Sequence, residues 1–142
     1  MMSDKRWNQV LILLWGLFFV SWTFPASWWL DVSRVKVFDS EVGQPVRMEA
    51  DREIRRPFSG EWSAIVRRKR GAHWIVACPS FGMGDYRMDA ELPEPLTLEW
   101  WTDGACPALT AGTYLLTTSW TIYPTYLPKK WVQITSNEFT IR

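Results

Sequence analysis

The sequence predicts a mainly β protein, an N-terminal transmembrane helix followed by an antiparallel β-sandwich. Three observations carry that expectation. No charged residue falls between Arg6 and Asp31, and the centre of that stretch, VLILLWGLFFV at 10–20, is almost wholly aliphatic and aromatic. From Asp31 onward apolar and polar residues alternate with a period near two, and no segment sustains a helical period. Turn signals, among them VGQP, RPFSG, PSFGMG, LPEP, TDGACP and YPTYLPKK, interrupt the alternation at the short spacing of small β domains.

A helix needs about 20 apolar residues to cross ~30 Å of hydrocarbon, so residues 7–30 are expected to span a bilayer. Lys5 and Arg6 precede the run and Asp31 follows it. The positive-inside rule then keeps residues 1–6 in the cytoplasm and puts 31–142 outside. Indoles favour the headgroup level, which makes Lys5, Arg6, Trp7, Trp28 and Trp29 the expected membrane-interface residues. A removable signal needs an A-x-A-like pair of small residues, whereas FPASWWLD at 24–31 puts the bulky Phe24 two residues before Ala26. No cysteine stands near this junction to take a lipid. The helix is therefore expected to stay as an anchor.

In the exterior part the expected strands are 33–38, 46–54, 61–68, 73–78, 86–90, 96–101, 112–122, 131–135 and 138–142. The run Arg67, Arg68, Lys69, Arg70 ends at Gly71 and reads as a strand running into a solvated hairpin. Trp62, Trp74, Trp100, Trp101, Trp120 and Trp131 supply much of the apolar bulk, and three or four inward rings would fill a small sandwich. Trp100 and Trp101 are adjacent, so at most one of them belongs to the core. In LTAGTYLL, Leu109, Gly112 and Tyr114 have the spacing of a tyrosine corner, in which the phenol bonds back to the backbone. That spacing resembles immunoglobulin-like and other Greek-key sandwiches, and implies an immunoglobulin-like fold.

Charge excludes one class of partner. Of the 16 basic and 15 acidic residues, 14 of each remain once Asp4, Lys5 and Arg6 are set aside, so the exterior part is formally neutral. A phosphate-tracking surface would show a basic excess, and no nucleic-acid partner is expected. Cys78 and Cys106 are the only cysteines, and outside the cytoplasm they are expected to form a disulfide. His73, Cys78, Met83 and Met88 offer copper-type donors, but a blue-copper site wants two histidines and this chain has one. No metal or other cofactor is expected. No G-x-S-x-G elbow presents a serine, and GMGD at 82–85 lacks the lysine-bearing helix of a phosphate loop. Asp51, Glu53, Asp85 and Asp89 stand beside arginines and are expected to form ion pairs. No catalytic residues are assigned and the protein is not expected to be an enzyme. The proline-braced loop PTYLPKKW at 124–131 is the candidate partner-binding element, with Tyr123, Tyr126, Lys129, Lys130 and Trp131.

The segments R-x-I at 52–54, FSGEW at 58–62, LTLEWW, LTAGTYLLTTSW and SNEFTI resemble small phage- and prophage-encoded membrane proteins of unassigned activity. The resemblance spans most of the exterior part and carries no functional residue across. It implies a single-pass protein of the bacterial inner membrane with its domain in the periplasm. Its expected partners are the lipid bilayer and an envelope or phage protein. The expected function is a membrane-anchored interaction module that acts on the host envelope, as in superinfection exclusion, or in assembly. The alternatives are a lysis accessory, or a secreted or virion structural protein if the helix is cleaved. An inner spanin would show a long apolar heptad pattern, and none is present.

Overall fold

The computed structural model describes residues 3–106 and 108–142, and is mainly β with antiparallel sheets. A single helix, α1 (Asp4–Thr23), precedes the β domain. Phe24 leaves the helix at φ −61°, ψ 118°, because the residue before Pro25 is pushed toward extended backbone. A short 3-10 turn, Ala26–Trp28, then leads into the first strand.

The anchor expected over 7–30 is corrected here. No helix among the described residues is long and apolar enough to cross a membrane. Charged Asp4, Lys5 and Arg6 and polar Asn8 and Gln9 occupy the first turns of α1, and its apolar stretch begins only at Val10. Beyond the break, Trp29 and Leu30 are 8% and 1% exposed and belong to the β core rather than to a lipid boundary.

Strands β1 (Leu30–Val37) and β2 (Met48–Ile54) form a two-stranded sheet. A bulge at Ser33 breaks the register between Val32 and Arg34, and it rephases the alternation. Leu30 and Val32 before it and Val35 and Val37 after it thus all turn toward the core. The second sheet has five strands: β3 (Phe58–Arg70), β4 (His73–Tyr86), β5 (Gly112–Tyr123), β6 (Lys130–Thr135) and β7 (Phe139–Ile141). Its order is β4-β3-β5, with β6 and β7 pairing successive parts of β5. Gly71, at φ +61°, turns β3 into β4 as the basic run predicts. Arg67 and Arg68 do not stay free, since they donate to Thr117 Oγ1 (3.0 Å) and to the Ala111 carbonyl (2.7 Å).

The two sheets share one core, in which Leu30, Val37, Val66, Leu116, Ile122 and Phe139 are almost fully buried. They are also stitched at one edge. Ser40 N–H donates to the Thr140 carbonyl (3.1 Å), and Asn137 bonds both the N–H (2.8 Å) and the carbonyl (2.9 Å) of Val37. The predicted tyrosine corner is present: Tyr114, 1% exposed, donates its hydroxyl to the Thr110 carbonyl at 2.7 Å.

Local expectations fail at two places. Residues 96–101 were expected as a strand but form a bridge and a short helix, α2 (Leu98–Trp101), because Thr97 caps it by accepting from Trp100 N–H at 3.3 Å. PSFGMG and the 86–90 segment were expected as a turn and a strand, yet β4 runs unbroken to Tyr86 and ends there. β4 is an edge strand bonded only to β3, so Pro79 and the glycines interrupt no second ladder.

Candidate functional site

Residues of β2, β3, β4 and β5 meet under α2, and there the chain leaves an open cavity of about 350 Å³. Its walls are Arg52, Trp62, Met83, Tyr86, Trp100, Trp101, Asp103, Thr118 and Trp120. Each wall has a local cause. Arg52 occupies an inward position of β2, where Met48 and Ile54 are buried in the same phase. Trp62 lies flat over Gly82 of β4, where a Cβ would come within 2.6 Å of the indole. Trp120 comes from the buried face of β5 and meets Trp101 edge to face, with centroids 6.1 Å apart at 88°.

The segment that roofs the cavity is fastened at several points. Trp101 donates its indole N–H to Thr118 Oγ1 (2.9 Å), and Ser80 donates to the Thr102 carbonyl (2.6 Å). Asp103 and Gly104, at φ +52° and +74°, end α2 in a tight left-handed turn. A disulfide between Cys78 and Cys106, as the sequence predicts, then ties the segment to β4. The disulfide also removes Cys78 from any copper-type donor set. Among the described residues no group of three His, Cys, Asp or Glu side chains is placed to hold a metal.

Arg52 is the electrostatic centre of the cavity. Neighbouring arginines are matched by acids: Arg34 pairs with Asp51 (3.1 Å), and Arg55 pairs with Asp31 (2.8 Å) and reaches Glu53 (3.5 Å). These are the ion pairs expected of the β2 carboxylates. Among the described residues Arg52 forms neither an ion pair nor a side-chain hydrogen bond, although it is half-buried. Burial lowers its pKa from the usual arginine value, and Tyr86 partly opposes the shift. Burial likewise pushes the Tyr86 phenol up, offset in part by Trp120 and by the Arg52 charge. The cavity therefore presents one guanidinium, one neutral phenol, the acidic side chain of Asp103 and several aromatic faces.

The candidate loop of the sequence lies elsewhere, at the end of the domain next to α1. Tyr126 (φ +63°) is fully exposed and Trp131 is 63% exposed. Lys130 does not face a free surface. It donates to the Ser21 and Trp22 carbonyls at 3.0 and 3.2 Å, satisfying the C-terminal turn of α1. Lys129 is exposed, and Tyr123 lines a separate open groove of about 550 Å³ with Trp29 and Pro124. Of the expected interface residues, Lys5, Arg6 and Trp7 are exposed on α1, and Trp28 carries Arg56 over its ring at 4.1 Å. Trp29 is in the core. The structure thus joins the loop to the helix end but joins neither to the cavity under α2, whose residues the sequence does not bring together.

No protein-family model, curated protein or solved structure matches the chain.

Proposed function

We propose that the protein is a lipid-tethered, extracytoplasmic interaction module, with an immunoglobulin-like β-sandwich as its binding body. The observation that carries this reading is α1. From Val10 to Val20 the helix is apolar around its whole circumference, yet it buries no residue against the domain. Ile12, Leu13 and Phe19 are 71%, 65% and 63% exposed. A helix apolar on every side needs an apolar medium, and lipid supplies it. At the end where Lys130 grips α1, Trp22, Trp28, Tyr126 and Trp131 provide the amphipathic rings that favour the headgroup level.

The disulfide supports an oxidising compartment. The periplasmic side of a bacterial inner membrane meets both requirements, and the resemblance to phage-encoded membrane proteins makes an envelope or phage protein the natural partner. The immunoglobulin-like reading rests on the Tyr114 corner and on the sharing of one core by two sheets. Fractionation of expressing cells tests the proposal. The chain is expected in the membrane fraction after a carbonate wash, with the β domain cut by protease added to spheroplasts. Release by carbonate, or a domain shielded from that protease, contradicts it.

A further inference from the structure

We propose that the cavity under α2 is a binding site for a single carboxylated saccharide ring. The inference goes beyond tethering and rests on none of the residues of α1. Three features of the cavity select the ligand class. Trp62, Trp100, Trp101 and Trp120 surround about 350 Å³, which lies within the range of small-molecule sites. Indole faces stack on the C–H faces of a pyranose by burying its apolar surface. Trp100, 50% exposed, stands at the mouth, where an arriving ring would cover it.

The second feature is Arg52, a cation set among aromatic rings that among the described residues forms no ion pair. A planar guanidinium left unpaired in a partly dry site is suited to take a carboxylate in a two-point contact. The third is Asp103, which also lines the cavity. Its side chain accepts hydrogen bonds from hydroxyl groups, which a ring without hydroxyls would leave unmade. A ligand satisfying all three carries a ring with C–H faces, hydroxyls and one carboxylate, which describes an acidic sugar. The roof stays in register because the Cys78–Cys106 bridge and the Ser80–Thr102 hydrogen bond hold it to β4.

Tryptophan fluorescence of the full chain in a sugar-free detergent tests the assignment. The probes are N-acetylmuramic acid and N-acetylglucosamine, which share a ring and differ by the lactyl carboxylate, with inorganic phosphate as a plain anion. The expected result is saturable quenching by N-acetylmuramic acid, with binding of the neutral sugar weaker by about tenfold. Arg52→Gln should abolish that preference. Trp100→Ala, at a half-exposed position that leaves the fold intact, should weaken both sugars by about tenfold at an unchanged melting temperature. The proposal is overturned if neither sugar quenches saturably, if Arg52→Gln keeps the preference, or if phosphate displaces the acidic sugar at equal concentration.

Discussion

Replacing Cys78 and Cys106 together with alanine opens the covalent loop that roofs the cavity. The loop spans a sequence separation of 28, and closing it removes conformational freedom from the unfolded chain. In the chain-entropy account that constraint stabilises by about 3.6 kcal/mol. Both cysteines are buried, at 8% and 6% exposure, so alanine also leaves small voids that add to the loss. For a domain near this size, each kcal/mol lowers the melting temperature by about 4 °C, so a fall of roughly 14 °C is expected. Circular dichroism melts of the oxidised protein and the double variant measure it. A fall of under about 4 °C would refute the reasoning, because the loop would then already be restrained in the unfolded chain.

Three further outcomes follow from single contacts. Tyr114→Phe deletes a buried hydroxyl and leaves the Thr110 carbonyl without its 2.7 Å partner. The expected loss is about 1–2 kcal/mol by urea unfolding, and no loss would mean that the corner adds nothing to stability. Gly82→Ala drives a methyl into the Trp62 ring, with an expected cost of about 1–3 kcal/mol and an altered near-ultraviolet tryptophan spectrum; an unchanged spectrum contradicts the packing. Tyr86 titrates above its unfolded value of 10.0, so the folded state holds the proton more tightly. Its contribution is intact below about pH 10 and fades as the pH rises through the higher folded value. Tyr86→Phe should therefore show a shallower alkaline decline of the urea midpoint than the wild type, and equal slopes would contradict the burial of that phenol.

The parts of the fold visible in the sequence are those that local chemistry decides. Alternation located seven of the strands, Gly71 marked its hairpin, and the spacing of Leu109, Gly112 and Tyr114 is a short-range geometry that survives folding. LTLEWW reads as a strand because Thr97, Trp100 and Trp101 are β-formers, and only the Thr97 cap and the packing of Trp101 turn it into α2. PSFGMG reads as a turn because proline and glycine disfavour strands, and only the edge position of β4 makes it acceptable. The end of the apolar run was misread for another reason. Trp28 and Trp29 resemble an interfacial pair in sequence, but Pro25 ends the helix before them and the core takes Trp29.

The cavity was hidden because it gathers residues from Arg52 to Trp120 across four strands and α2. One signal was available. In MEADREI the inward phase runs Met48, Ala50, Arg52, Ile54, so a cation interrupts an apolar register. A charge on the buried side of an alternating strand needs either an acid or a ligand, and among the described residues no acid pairs with Arg52.

Flotation of the purified full chain with phospholipid vesicles tests the central claim most directly, compared with a Leu14→Lys/Phe18→Lys variant that charges the exposed face of α1. The account predicts that the chain rises with the vesicles and resists carbonate. The variant should stay at the bottom of the gradient with an unchanged β-domain melting temperature, since α1 buries nothing against the domain. A wild-type chain that stays at the bottom, or a variant that floats equally well, would contradict tethering through α1.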